Sequence, residues 1–167
     1  DLSRGRRHVL ALMFDMNSLW EKFIYVSLRK FKPTAATISA QASKHFWKPE
    51  QGYNSSIRPD IVIKDLDSTY VIDTKWKNLG NQNPSPDDLR QLYVYHEYYE
   101  AKKVALAYPG NFGINRGSYY STRDRNLSEK ECSIITIPTR VTISEWQKNI
   151  AEQIFENWLQ IDYRAEV

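Results

Sequence analysis

Cysteine is nearly missing from this chain of 167 residues: Cys132 stands alone. A single thiol closes no internal disulfide and rules out a four-cysteine zinc or iron–sulfur centre, so a cytoplasmic setting is expected. His8, His45 and His96 lack the spacing of a zinc site, and surface or packing roles are expected for them. Glycine and proline are scarce, at 6 and 7 residues, and no segment repeats; collagen-like, solenoid and disordered classes drop out. The longest apolar run, residues 9–14, is far short of the ~20 residues that cross a bilayer. No cleavage-site pattern follows it, so neither a membrane span nor a signal peptide is expected. Residues 110–117 contain no P-loop, which assigns any nucleotide hydrolysis to a partner.

What is present is an ordinary globular composition with unevenly placed charge. The length argues for one domain over residues 1–167, with 1–14 as an arm or the remnant of a preceding region. Net charge is +3, but residues 1–58 hold 10 Lys/Arg against 4 Asp/Glu while the remainder hold 13 against 16. A basic segment beside a carboxylate-rich one suits a phosphate-backbone surface next to a cation site, and equally a solvated charged face.

Met16, Leu19, Trp20, Phe23, Ile24 and Phe31 recur at helical spacing, which predicts a helix over 15–31, capped by Asp15 or Asn17 and stopped at Pro33. Residues 37–47 alternate as a half-buried strand, and 49–56 read as a loop. The β-rich runs 57–64 and 70–76 are close enough to form an antiparallel hairpin. A loop over 78–87, a helix capped by Asp87 or Asp88 and running to about 100, and a strand at 103–108 imply a right-handed parallel crossover. Residues 111–130 are polar and too long for a plain connection, so a functional loop or a partly disordered segment is expected there. A strand at 132–137 and an amphipathic helix at 144–159, with Trp146, Ile150, Ile154, Phe155 and Trp158 inward, complete an α/β sandwich around a mixed sheet.

The chemistry concentrates in the hairpin. A turn centred near Leu66 and Asp67 pairs residues whose numbers add to about 133, which sets Asp60 opposite Asp73, and Lys75 shares the face of Asp73 two residues on. Facing carboxylates repel one another. Keeping both ionised calls for a cation, and oxygen ligands suit Mg²⁺ or Mn²⁺ rather than zinc. Ile61, Val62, Ile63, Val71 and Ile72 would seat the strands in the core, with the polar trio emerging at one edge. Ordinary salt bridging from Lys75 stays open as the alternative.

Pro59-Asp60 followed by Asp73-Thr74-Lys75 resembles the PD-(D/E)xK motif of restriction-endonuclease-like nucleases, and Gln91-Leu92-Tyr93-Val94-Tyr95 resembles the Q-x-x-x-Y helix motif of their RecB-like branch. Five blocks in order, at 16–23, 58–63, 71–77, 88–95 and 106–109, resemble the C-terminal nuclease region of the McrC family. McrC-family subunits cleave DNA in McrBC modification-dependent restriction systems, together with the GTP-hydrolysing McrB ring. The resemblance implies a restriction-endonuclease-like α/β/α sandwich and a metal-dependent DNA endonuclease. It implies that Asp60, Asp73 and Glu21 hold Mg²⁺, with Mn²⁺ as a substitute, and that Lys75 positions or activates the attacking water. Gln91 and Tyr95 would support the site or the substrate, with a hydrogen-bonded pair in packing, at i and i+4 on one helix face, as the alternative. The implied partners are double-stranded DNA and an McrB-like AAA+ GTPase, the latter through a region largely absent from this chain.

Lys44, Lys48, Arg58 and Lys77 lie on or beside the same strands and are candidate phosphate contacts, with solvated charge as the alternative for each. Two other functions stay open: a RecB-like nuclease acting on DNA ends or single strands, and a non-catalytic DNA-binding or assembly module.

Overall fold

The computed structural model describes residues 2–139 and 142–161, with side chains from residue 16 on; His8 lies outside the residues whose side chains are described. In chain order the elements are α1 (Leu2–Lys30), β1 (Thr37–Ala40), β2 (Lys44–Trp47), β3 (Ser55–Ile57), β4 (Ile61–Asp65), β5 (Ser68–Thr74), α2 (Pro86–Tyr99), β6 (Ala101–Pro109), β7 (Gly113–Tyr120), β8 (Leu127–Ile137) and α3 (Ile143–Ala151), which continues as a π-helical stretch, Glu152–Leu159. Six strands form one mixed sheet in the order β1-β4-β5-β6-β8-β7, and β2 and β3 pair separately.

Trp20, Ile24 and Leu28, four residues apart, form the buried stripe of α1. They meet Ile61, Ile63 and Ile72 of the sheet and Ile150, Ile154, Phe155 and Trp158 of the C-terminal helix. The opposite face of the sheet presents Val62, Val71, Val104 and Leu106 to Leu92, Tyr95 and Tyr99 of α2. Alternation along β4 thus feeds two cores, and the α/β/α sandwich with a central mixed sheet is realised. Pairing of β5 with β6 is parallel across α2, as the crossover requires.

Several local expectations change. α1 begins at Leu2, so neither Asp15 nor Asn17 caps it; the Asn17 side chain instead accepts from the Trp76 backbone N–H at 3.1 Å. The strand expected over 37–47 is broken at Gln41, whose φ of 50° sends β1 into the main sheet and β2 into the small one. Pro59, with no N–H to donate, separates β3 from β4. The polar stretch 111–130 is an antiparallel hairpin rather than a loop, with Ile114 opposite Ile135 and Gly117 opposite Cys132. β7 is an edge strand exposed over much of its length, so it needs no apolar alternation and carried no strand signal.

Candidate active site

The hairpin register adds to 133 as expected: Ile61 pairs with Ile72, Val62 with Val71 and Ile63 with Tyr70. Asp60 stands just before β4, one position beyond the last ladder pair, and its charge is felt at Asp73. Asp60 Oδ2 accepts two hydrogen bonds from Thr74, from the backbone N–H at 2.7 Å and the hydroxyl at 2.8 Å. The trio is not at an edge of the sheet. β5 is an inner strand, and Asp73 lies at its C-terminal end, 3% exposed. Lys75 continues the pairing, its N–H donating to the Ala107 carbonyl at 2.9 Å, which keeps its side chain on the face of Asp73. Lys75 Nζ is 2.6 Å from Asp73 Oδ2 and 3.6 Å from Asp88 Oδ1.

Two helices complete the site. Ser85 caps α2, accepting from the Asp88 N–H, and Pro86 opens the first turn, so the cap is not Asp87 or Asp88 as expected. One turn on, Gln91 Nε2 donates to the Tyr95 hydroxyl oxygen at 2.8 Å and lies 3.5 Å from Asp73 Oδ1. Its Oε1 is 3.5 Å from Lys75 Nζ. The amide therefore links the trio to α2. From α1, Glu21 accepts from the Gln41 side chain at 2.9 Å, and the Gln41 backbone N–H binds the Asp60 carbonyl at 2.9 Å.

Burial and the nearby Asp60 carboxylate push the Asp73 pKa up to about 6, against the lowering effect of Lys75. Glu21 is also raised, first by burial and then by Asp60, although Gln41 and Arg58 pull it down. Burial penalises the Lys75 ammonium, but Asp73, Asp88 and Asp60 more than offset this and raise its pKa. Burial also pushes the Tyr95 phenol up to about 12. Lys75 thus answers Asp73 directly and shares Asp88 with Lys77, which stands 2.8 Å from it.

Among the described residues, no three His, Cys, Asp or Glu side chains are gathered into a metal-holding group. Asp60 is turned to Thr74 and Asp73 to Lys75. The donor set still suits a hard divalent cation. Asp73 Oδ2 is closed off from solvent and, among the described residues, has no well-aligned hydrogen-bond donor and Lys75 alone as an ion-pair partner. Carboxylate oxygens are the ligands that Mg²⁺ and Mn²⁺ prefer.

The family described as McrBC 5-methylcytosine restriction system component matches residues 1–109. The chain belongs to this family. It is therefore a component of an McrBC restriction system. Among solved structures it is similar to a chain from the refined half-complex of the tetradecameric assembly of Thermococcus gammatolerans McrB AAA+ hexamers with bound McrC. Identity is 22%, the TM-score is 0.63, and the match covers 83% of this chain and 32% of that one. This chain thus spans about a third of its relative's length, and the likeness is one of fold. A second solved chain, SSO0001, is 17% identical over 89% of this chain and 61% of its own length, with a TM-score of 0.44. No curated protein matches.

In this McrBC-family chain the expected residues Asp60, Asp73, Lys75, Gln91 and Tyr95 meet at the end of β5, while Glu21 bonds to Gln41 and feels the charge of Asp60. Thr74, Asp88 and Gln41 were missed. Thr74 occupies the variable position of the motif, and Asp88 read as a helix cap, so neither carried a separate signal. The candidate phosphate contacts divide. Arg58 is exposed beside Glu21. Lys77 pairs with Asp88 at 2.8 Å, Lys44 donates to the Tyr98 carbonyl at 2.6 Å, and Lys48 is exposed after β2.

Proposed function

We propose that this chain is a metal-dependent DNA endonuclease, the cleaving component of its McrBC system, driven by an McrB-like AAA+ GTPase. The observation that carries this reading is the convergence of Asp60, Asp73 and Lys75 at the end of an inner strand, tied to Gln91 and Tyr95 of α2 and neighboured by Glu21. A hairpin needing only salt bridges has no reason to bury a repelled carboxylate at 3% exposure with a raised pKa.

Asp60, Asp73 and Glu21 would hold the cation, Mg²⁺ with Mn²⁺ as substitute. When bound, the cation supplies Lewis-acid stabilisation of the charge that develops on the phosphate oxygens. Thr74 fixes the Asp60 carboxylate through two hydrogen bonds, so this ligand is oriented before anything binds. Lys75 keeps its proton at neutral pH, because its pKa is raised. It therefore acts as a hydrogen-bond donor to the attacking water or the scissile phosphate, and as positive charge where negative charge accumulates. Water adds to phosphorus and loses a proton to bulk solvent, and the bond to the 3′ oxygen breaks, the leaving oxygen taking up a proton from solvent to become the 3′ hydroxyl. Gln91 holds Lys75 and Asp73 in register with α2, and Tyr95 holds Gln91.

Covalently closed plasmid incubated with Mg²⁺ or Mn²⁺, with and without the partner GTPase, tests the reading. Nicked or linear product is expected. Degradation restricted to linear or single-stranded DNA would replace it with an end-directed nuclease.

A further inference from the structure

We infer that the groove between the β2–β3 hairpin and α2 is the track for the DNA strand beside the scissile phosphate, with Phe46 and Arg58 as its contacts. This inference rests on the nuclease reading above and adds where the substrate lies.

β2 and β3 pair only with each other, so the hairpin stands off the main sheet. It is nevertheless pinned. Lys44 donates to the Tyr98 carbonyl and sits 4.8 Å over the Tyr99 ring. The Phe46 ring packs 5.2 Å from Tyr98, and the Tyr99 hydroxyl donates to the Ala42 and Ile57 carbonyls. The space left between hairpin and helix is an open groove of about 640 Å³, bounded by Phe46, Ser56 and Arg58 on one side and by Gln91, Val94 and Tyr95 on the other.

Three features select a nucleic-acid strand. The groove is continuous with the reacting centre, since Gln91 both lines it and reaches Asp73. Its lining holds one cation, hydroxyls, an amide and aromatic surface but no carboxylate, which suits a chain of alternating phosphates and sugar or base faces. The hairpin also displays Trp47 and Tyr53 at 59% and 97% exposure, with Lys48 between them in the sequence. These are ring surfaces that a packed core does not use. Lys44 is spent in holding the hairpin, which leaves Arg58 as the cation of the groove.

The test measures binding of a fluorescein-labelled duplex to the 167-residue chain in EDTA at several salt concentrations, for wild type, Phe46→Ala and Arg58→Ala. Both residues are exposed, unchanged melting temperatures check folding, and because Phe46 also packs on Tyr98, Phe46→Tyr, which keeps the ring, is expected to bind like wild type. Expected are roughly tenfold or greater weakening for Phe46→Ala with an unaltered salt slope, and weakening for Arg58→Ala with a slope reduced by about one. Wild-type affinity in both variants, loss confined to Arg58→Ala, or no wild-type binding at 50 mM salt would each overturn the assignment. So would variants that bind DNA normally but lose the partner GTPase in a pull-down, which would make the groove a protein interface. The two readings fail separately: groove variants that cut plasmid normally while Asp73→Asn is inert leave the nuclease standing, whereas cleavage by Asp73→Asn removes the nuclease reading itself.

Discussion

Replacing Asp73 with Asn should change how stability depends on pH, and the direction follows from the site. The carboxyl has a pKa of about 6 in the folded chain against an ordinary value of 3.8. Between these values the folded state holds a proton that the unfolded state releases. The resulting stabilisation is fully present below pH 3.8 and is lost as pH rises through 6. Linkage puts the loss between pH 4.5 and 7 at about 2 kcal/mol, or roughly 4–8 °C in melting temperature for a domain of this size. Asn carries no such proton. In metal-free buffer the stability of Asp73→Asn relative to wild type should therefore rise by this amount from pH 4.5 to pH 7. Thermal or urea unfolding of both proteins in EDTA, across that range, measures it as a difference in which titrating groups away from the site cancel. A pH-independent difference, or one that falls with pH, would show that Asp73 is not destabilised as an anion and would remove the electrostatic argument for a cation at this site.

Other outcomes follow. Mg²⁺ or Mn²⁺ should raise the wild-type melting temperature, by about 1.4 kcal/mol of stability at ten times the dissociation constant, and Asp60→Asn should abolish the rise; an equal rise in the variant would count against a ligand role for Asp60. Thr74→Val removes the hydroxyl donor to Asp60 and should cut the cleavage rate while the backbone bond preserves the fold; an unchanged rate would refute the orienting role. Trp20→Ala should cost about 3–5 kcal/mol, because the indole is buried and donates to the Ala107 carbonyl, and urea unfolding would read this directly. Binding of the isolated chain to matched methylated and unmethylated duplexes should be equally weak and fall with salt at about −0.9 per phosphate neutralised; a clear methyl preference would place base recognition in this chain.

Elements with a strong period or a steric punctuation mark could be read before folding. The hairpin register came from counting about the turn at Leu66 and Asp67, because strand pairing about a tight turn has few solutions. The α2 crossover came from the length between two apolar runs. Gln41 shows the limit: nothing in a polar residue announces the left-handed backbone that divides one expected strand between two sheets. β7 shows another, since an edge strand that buries little beyond Ile114 and Tyr119 writes no alternation into its sequence. At the site, Asp60, Asp73 and Lys75 were found by spacing and Glu21, Gln91 and Tyr95 by resemblance, and the pairing of Lys75 with an aspartate was legible, but the Thr74, Asp88 and Gln41 partners were not. Asp60 was expected opposite Asp73, but the two donors of Thr74 that hold its carboxylate have no signal in the sequence. Asp88 joins Lys75 and Lys77 because the capped first turn of α2 brings it there, a contact between segments that local pattern does not encode.

In the proposed nuclease, Asp73 and Lys75 perform phosphodiester cleavage. Its most direct measurement is nicking of closed plasmid in Mg²⁺ by wild type, Asp73→Asn and Lys75→Ala, each with the partner GTPase and each shown by melting to be folded. Loss of cleavage in both variants, at least a hundredfold, is the expected result. Cleavage by either folded variant at the wild-type rate would contradict it.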